Sequence, residues 1–258
     1  MSETNREGKR AARERLKAER AKEESRNKRR RGLVVGGSVV GVLALAAAVG
    51  VIAANAGETE QKAGPVVAPK GAAGEDGLAI PVGDASAKST LVIWEDFRCP
   101  ACANFENAYR STIHELTEKG LLKVEYHLAT LIDGNMRGEG SHRAANAAVC
   151  AQDAGKFPEY HDVLFANQPL ETEDAFASDD HLLDLAEKVD GLVTPAFTSC
   201  VKDGGHDAWV TESHKAFQKG DFPGTPTVLL NGKSVFGDQK NPLTPEKLKQ
   251  LVEEKAGA

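Results

Sequence analysis

The sequence predicts an α/β domain interrupted by a block of helices and preceded by one membrane-spanning helix. Three observations carry this expectation. An uncharged run occupies residues 33–54; strand-like and helix-like stretches alternate from residue 91; and residues 139–219 hold helical stretches but no convincing strand before strands return at 227.

Residues 1–31 carry 13 Lys/Arg against 6 Asp/Glu, a balance of +7, while the whole chain sums to −6, so the remainder carries −13. The following run, LVVGGSVVGVLALAAAVGVIAA (33–54), has no charge and a single hydroxyl, Ser38. That is about the 20 apolar residues a helix needs to cross a hydrocarbon layer of about 30 Å, and it is too long and uniform for a core helix. Lys28, Arg29, Arg30 and Arg31 directly precede it, whereas Glu58 and Glu60 follow. The positive-inside bias therefore makes residues 1–32 a basic cytoplasmic segment, 33–54 a transmembrane anchor, and everything beyond 55 extracytoplasmic. The basic segment reads as a topology determinant rather than a nucleic-acid arm. A cleaved signal peptide is the alternative, because Ala54-Asn55-Ala56 has the small-x-small form of a cleavage site. The length of the run and the 32 residues before it favour a retained anchor.

Residues 55–77 (NAGETEQKAGPVVAPKGAAGEDG) are rich in Ala, Gly and Pro and read as a flexible linker. The folded part is expected from Leu78 to about residue 255. LVIWEDF (91–97) is short, β-branched and aromatic, the pattern of a strand. From Cys99 to about Lys119 the period becomes helical, with Phe105, Tyr109, Ile113 and Leu116 on one face. Residues 121–131 give a second strand. Five helical stretches follow within about 139–219: HRAANAAVCAQDAG, FPEYHDVLFANQ, DDHLLDLAEKVDG, TPAFTSCVKDGG and DAWVTESHKAFQKG. Strands return at 227–231 and 233–236 across an Asn231-Gly232 turn. Thr244-Pro245-Glu246 opens a last helix as N-cap and first-turn proline.

Cys99 and Cys102, in FRCPACANF, fall where a strand gives way to a helix. Backbone N–H groups and the helix dipole favour an anion there, so a thiolate at Cys99 is expected to be stabilised. Pro100 suits the first helical turn because it has no N–H to leave unpaired. Zinc would need about four ligands in workable spacing. Only Cys150 and Cys200 remain, 50 residues apart, and no histidine stands near the first pair, so no metal is expected. A purely structural Cys99–Cys102 disulfide is a stronger rival, although so small a loop constrains the unfolded chain little. Further on, FPGTPTVLLNG puts Pro226 at the head of a strand, where a cis bond in a tight turn is one use for proline.

FRCPACANF after LVIWED, together with GTPTVLLNG, resembles the thioredoxin-fold, DsbA-like thiol–disulfide oxidoreductases. AANAAVCAQDAGKFPEYHDVLFANQ is similar to the helical insertion of their Gram-positive, actinobacterial, membrane-anchored branch. The resemblance covers roughly residues 78–255. It implies a thioredoxin fold with an inserted helical domain, with Cys99 as nucleophile and Cys102 as buried resolving partner. It also implies that Thr225 precedes a cis-Pro226 that lies against the dithiol and offers its backbone to substrate. Two departures bear on the chemistry. The best-known oxidases have a histidine where this chain has Ala101, and many relatives carry a buried acid six positions before the first cysteine, where this chain has Ile93. Asp96 or Glu95 is a candidate proton relay to Cys102 in its place, with turn-capping the stronger expectation for Asp96. Trp94 reads as core.

Two cysteines left over in an exported domain usually pair, and members of this branch often carry a second bridge, so a Cys150–Cys200 disulfide is expected; two buried free thiols are the alternative. His142, His161, His181 and His214 lie on helical patterns and read as surface or satisfied core residues, not ligands. The resemblance implies an extracytoplasmic oxidoreductase that introduces disulfides into exported thiol-containing proteins through Cys99 and Cys102. It needs no cofactor and is reoxidised by a quinone-linked membrane partner. The rivals are a reductase or isomerase on the same fold, and a tethered binding module whose Cys99–Cys102 bridge is inert.

Overall fold

A computed structural model of the chain describes residues 65–74 and 76–257. The basic segment, the 33–54 run and the first part of the linker lie outside the described residues. Among the described residues no helix is long and apolar enough to cross a membrane.

Five strands form one sheet in the order β1-β3-β2-β4-β5. At its centre β2 (Ser89–Glu95) runs parallel to β3 (Leu122–Leu128), with Leu91 opposite Val124 and Ile93 opposite Tyr126. Parallel neighbours need a crossover, and α1 (Pro100–Glu118) supplies it. Its Phe105, Tyr109, Ile113 and Leu116 are all buried, as their spacing predicts. Gly120, at φ +66°, follows the helix end, where the left-handed backbone favours glycine. β4 (Thr227–Leu230) and β5 (Lys233–Ser234) form a hairpin. Asn231 and Gly232 both take positive φ, +50° and +78°, as a two-residue turn matched to the strand twist requires. α8 (Pro245–Gly257) closes the chain behind Thr244, whose Oγ1 accepts from Lys247 N at 3.2 Å.

The stretch from 139 to 219 contains no strand. It folds as α3 (Gly140–Asp153), α4 (Phe157–Ala166), a 3-10 turn at Ala175–Ala177, α5 (Asp179–Ala186), α6 (Pro195–Lys202) and α7 (Asp207–Lys219). Ala144, Ala145, Ala147, Ala148 and Ala151 are buried, so α3 is the small-residue axis of the insertion. Thr194 and Ser178 cap α6 and α5 through their hydroxyls. Sheet and insertion share one apolar core, running from Leu91, Ile93 and Val124 to Val149 and Trp209. Trp94 is buried on the other sheet face, stacked on His127 at 4.1 Å.

Four details correct the sequence expectation. β1 (Ile80–Gly83), an edge strand antiparallel to β3, was not expected; Pro81 and Gly83 weaken its signal, and only an edge tolerates them. β2 stops at Glu95, not 97, because Asp96 turns the chain: its Oδ1 accepts from Arg98 N at 2.8 Å and its carbonyl from Cys99 N at 3.0 Å. β3 stops at Leu128, and α2 (Leu131–Met136) begins where strand was expected. His214 Nδ1 takes the Thr130 N–H and Asp96 Oδ2 takes that of Ile132, so these donors leave the sheet. The hairpin strands end at Leu230 and Ser234, short of residues 231 and 236. Part of the stretch read as a linker is also held in place. Lys70 N donates to Asp153 Oδ1 at 2.7 Å, His206 Nδ1 lies 2.8 Å from Val67 O, and Trp209 Nε1 donates to Gly77 O.

Candidate active site

The turn between β2 and α1 places Cys99 at the N-cap of α1, extended at φ −76° and ψ 117°. Its carbonyl accepts from Cys102 N at 3.0 Å and Ala103 N at 3.2 Å, which starts the helix one residue after the sulfur. Cys99 keeps 7% of its surface exposed and Cys102 none, and both are free thiols. Opposite them the Thr225–Pro226 peptide is cis, and Cys99 Sγ donates to Thr225 O at 3.3 Å. Residues 126 positions apart in sequence thus meet at one sulfur. The Thr225 hydroxyl is buried without a hydrogen-bond partner.

The two thiols are electrostatically unlike. Cys99 is lowered to about 6, first by a hydrogen bond from the Cys102 thiol, then by Thr225 and the N–H groups of Cys102 and Ala101, against the opposing effect of burial. Cys102 is pushed well above the ordinary thiol range by burial, and further by the bond to Cys99 and by its charge. A pair in which the sulfur that keeps some exposed surface is the more acidic, and the fully buried one is held as a thiol, suits thiol–disulfide exchange, because the thiolate is the nucleophile.

The insertion holds this turn from behind. Arg98, 1% exposed, reaches Asp133 at 2.7 Å and Asp174 at 2.8 Å and donates to Glu171 O. Those aspartates in turn accept from the first N–H groups of α3 and its approach: Glu139 and Gly140 to Asp174, Ser141 and His142 to Asp133. Gln168 Nε2 donates to Phe97 O at 2.8 Å and to Cys99 O at 3.0 Å. Asp96, raised to about 7 chiefly by burial, accepts from Ile132 N, Arg98 N and Ser141 Oγ, so it organises the turn. Ile93 is fully buried in the sheet.

Arg98, Gln168, Glu106 and His161 were not singled out as site residues by the sequence. Glu106 left a signal: it stands on the apolar stripe of α1, one turn after Cys102, where a charge is out of place. Gln168 left none, since a loop glutamine is ordinary. Of the helical histidines, His161 is buried with its Nε2 2.8 Å from Glu95 Oε1, while His142 meets Asp207 at 3.2 Å and His214 serves as an acceptor for Thr130 N. Cys150 and Cys200 form a disulfide, S–S 2.01 Å, that joins α3 to α6. Among the described residues, two groups bring three ligand-type side chains within 4.8 Å. One is this disulfide with His206, whose sulfurs are already bonded to each other. The other is Glu95, Glu106 and His161, knit by the His161–Glu95 contact.

A family model described as Thioredoxin matches residues 76–254. The oxidised structure of DsbA from Mycobacterium tuberculosis superposes with a TM-score of 0.60 at 26% identity, over 70% of this chain and 93% of that one. Disulfide bond formation protein D of Bacillus subtilis is 26% identical over 175 residues, 67% of this chain and 74% of that protein. The serine/threonine-protein kinase PknE of Mycobacterium tuberculosis is 30% identical over 129 residues, 48% of this chain, and the match spans only 22% of the kinase. Dithiol, facing cis-proline, inserted helices and these likenesses converge: the chain belongs to the thioredoxin family, in its DsbA-like branch of thiol–disulfide oxidoreductases.

Proposed function

We propose that the protein is a membrane-tethered, extracytoplasmic oxidase that passes the Cys99–Cys102 disulfide to exported proteins. The observation that carries this reading is the asymmetry of the pair: Cys99 lowered to about 6 and partly accessible, Cys102 buried and raised. A substrate thiolate attacks Cys99 Sγ of the oxidised enzyme. The Cys99–Cys102 bond breaks and its electron pair leaves on Cys102. The substrate's second thiolate then attacks its own sulfur in the mixed disulfide, forming the substrate disulfide and releasing Cys99 as a stabilised thiolate. The enzyme, now reduced by two electrons, returns them to a quinone-linked membrane partner. Thr225 and Pro226 form the substrate-binding edge in this scheme, because the Thr225 carbonyl already sits at hydrogen-bond distance from the reacting sulfur. The uncharged run 33–54 behind Lys28–Arg31 supports the tether and its orientation.

One experiment tests chemistry and placement together. The full chain carrying Cys102→Ser, expressed in cells, should accumulate mixed disulfides through Cys99 with exported proteins, and Cys99→Ser should accumulate none. Protease added to intact spheroplasts should digest the adducts while sparing the basic segment. Substantial turnover by Cys99→Ser would overturn the nucleophile assignment, and adducts protected from protease would overturn the placement.

A further inference from the structure

A second polar cluster lies in the core where β2, α1 and α4 meet. Glu95, Glu106 and His161 each bring a donor atom within 4.8 Å of the others. The three residues are 0%, 1% and 2% exposed. One contact inside the cluster is made, His161 Nε2 to Glu95 Oε1 at 2.8 Å. Glu95 Oε2 and Glu106 Oε1 are buried with no hydrogen-bond partner. Arg110 does not serve them: its guanidinium pairs with the Asp162 carboxylate at 3.1 Å and donates to the Asp162 carbonyl. Buried carboxylates are ordinarily paired with cations or bound to metals, so two orphaned oxygens on different carboxylates beside one imidazole call for a cation.

We propose that Glu95, Glu106 and His161 form a binding site for a divalent transition metal, Zn²⁺, and that the ion staples the inserted helices to β2 and α1. The site goes beyond the oxidoreductase reading and does not depend on it. Two carboxylates and a neutral imidazole carry a charge of −2, which one divalent cation cancels where water cannot. An imidazole among the donors favours zinc over calcium or magnesium, which take oxygen ligands. Donors around a tetrahedral ion at about 2.0–2.2 Å stand about 3.4 Å from one another, between the 2.8 Å of the His161–Glu95 contact and the 4.8 Å outer limit of the cluster. Three protein donors leave a fourth position for water or for the second oxygen of a carboxylate. His161 also has the support a ligating histidine needs. While Nε2 faces the carboxylates, Nδ1 lies 3.4 Å from Asp162 Oδ1, and a carboxylate behind the ring fixes its orientation and tautomer.

Binding exchanges protons for the ion: the proton between His161 Nε2 and Glu95 Oε1 leaves to solvent, with any that Glu106 holds. Asp162 keeps a fifth of its side chain exposed and meets exposed His114 at 3.3 Å, so the contacts run from the cluster to the surface and give an ion a way in. On the other sides the rings of Phe97, Tyr126, Phe157 and Phe165 stand 4.7–5.8 Å from that of His161 and keep the site apolar. No local spacing announces such a site, because its ligands come from three elements far apart in the chain.

The test uses the untagged full chain in detergent, with both cysteine pairs oxidised so that no thiolate can take zinc. Stripped of metal and titrated with zinc against a chromogenic chelator of micromolar affinity, it should bind one equivalent. X-ray absorption should show nitrogen and oxygen ligands at about 2.0–2.2 Å and no sulfur at about 2.3 Å. Zinc should also raise the melting temperature, because it binds only the folded chain. Glu106→Gln keeps the volume, loses the anionic donor, and should lose both the tight equivalent and the melting shift. Asp162→Asn, which acts only through the His161 ring, should weaken binding by about 10–100-fold. Metal-free melting curves establish that each variant is folded, and the partly exposed position 162 keeps the test open if Glu106→Gln does not fold. A native chain without a tight equivalent, sulfur in the ligand shell, or zinc held equally well by a folded Glu106→Gln or Asp162→Asn overturns the inference, the last by placing the ion at surface histidines. Neither result bears on the dithiol, which stays closed throughout.

Discussion

Ala101 stands exposed between the two cysteines and brings neither charge nor donor to the thiolate. What lowers Cys99 to about 6 is therefore the Cys102 thiol, Thr225 and the first N–H groups of α1. Reference thiols in this fold lie at about 7 for thioredoxin and about 3.5 for DsbA, so Cys99 falls between them. Ala101→His should lower Cys99 further wherever the imidazole is protonated, below about pH 6.5 for an ordinary histidine. Because the thiolate belongs to the reduced form, the potential should rise together with acidity, by about 30 mV for each tenfold change in the equilibrium. Cys99 titration and a glutathione redox equilibrium check this. A variant unchanged in both would refute the account of how this thiolate is held.

Among the elements, α3 organises the insertion, and the Cys150–Cys200 bridge ties it to α6. Asn146 adds to that junction, donating to Val201 O at 3.3 Å and accepting from His206 N at 2.8 Å. The bridge closes a loop of 50 residues, worth about 4 kcal/mol through restriction of the unfolded chain. Cys150→Ala with Cys200→Ala should lower denaturant stability by up to about that amount and leave the Cys99 pKa in place. Free thiols at both positions in the purified protein, or no loss of stability, would contradict this. The element pattern was legible where periodicity was long: α1, the five helices of the insertion and the central strands follow directly from apolar spacing. It failed where a single distant side chain decided the backbone. Nothing local in residues 129–132 announces that His214 and Asp96 will take the N–H groups of Thr130 and Ile132 and bend the chain into α2.

Across the whole described domain, the site is a seam. The turn after β2 and the first turn of α1 supply the two sulfurs, the loop before β4 supplies Thr225 and Pro226, and the insertion grips the turn through Arg98, Gln168 and Asp96. The cysteine pair and its facing proline were legible as neighbours because their motifs are local and the resemblance joined them. The supporting residues were not, since Arg98 and Gln168 gain meaning only once Asp133, Asp174 and the Cys99 carbonyl are brought around them. A frame that stabilises the Cys99 thiolate while keeping Cys102 a neutral thiol stabilises the reduced form, and so makes the disulfide a driving force for oxidation. The standard potential of the Cys99–Cys102 couple tests this most directly. It should lie between about −270 mV, the thioredoxin reference, and about −120 mV, that of DsbA. A value at or below the thioredoxin reference would contradict the oxidase and identify a reductase on the same fold.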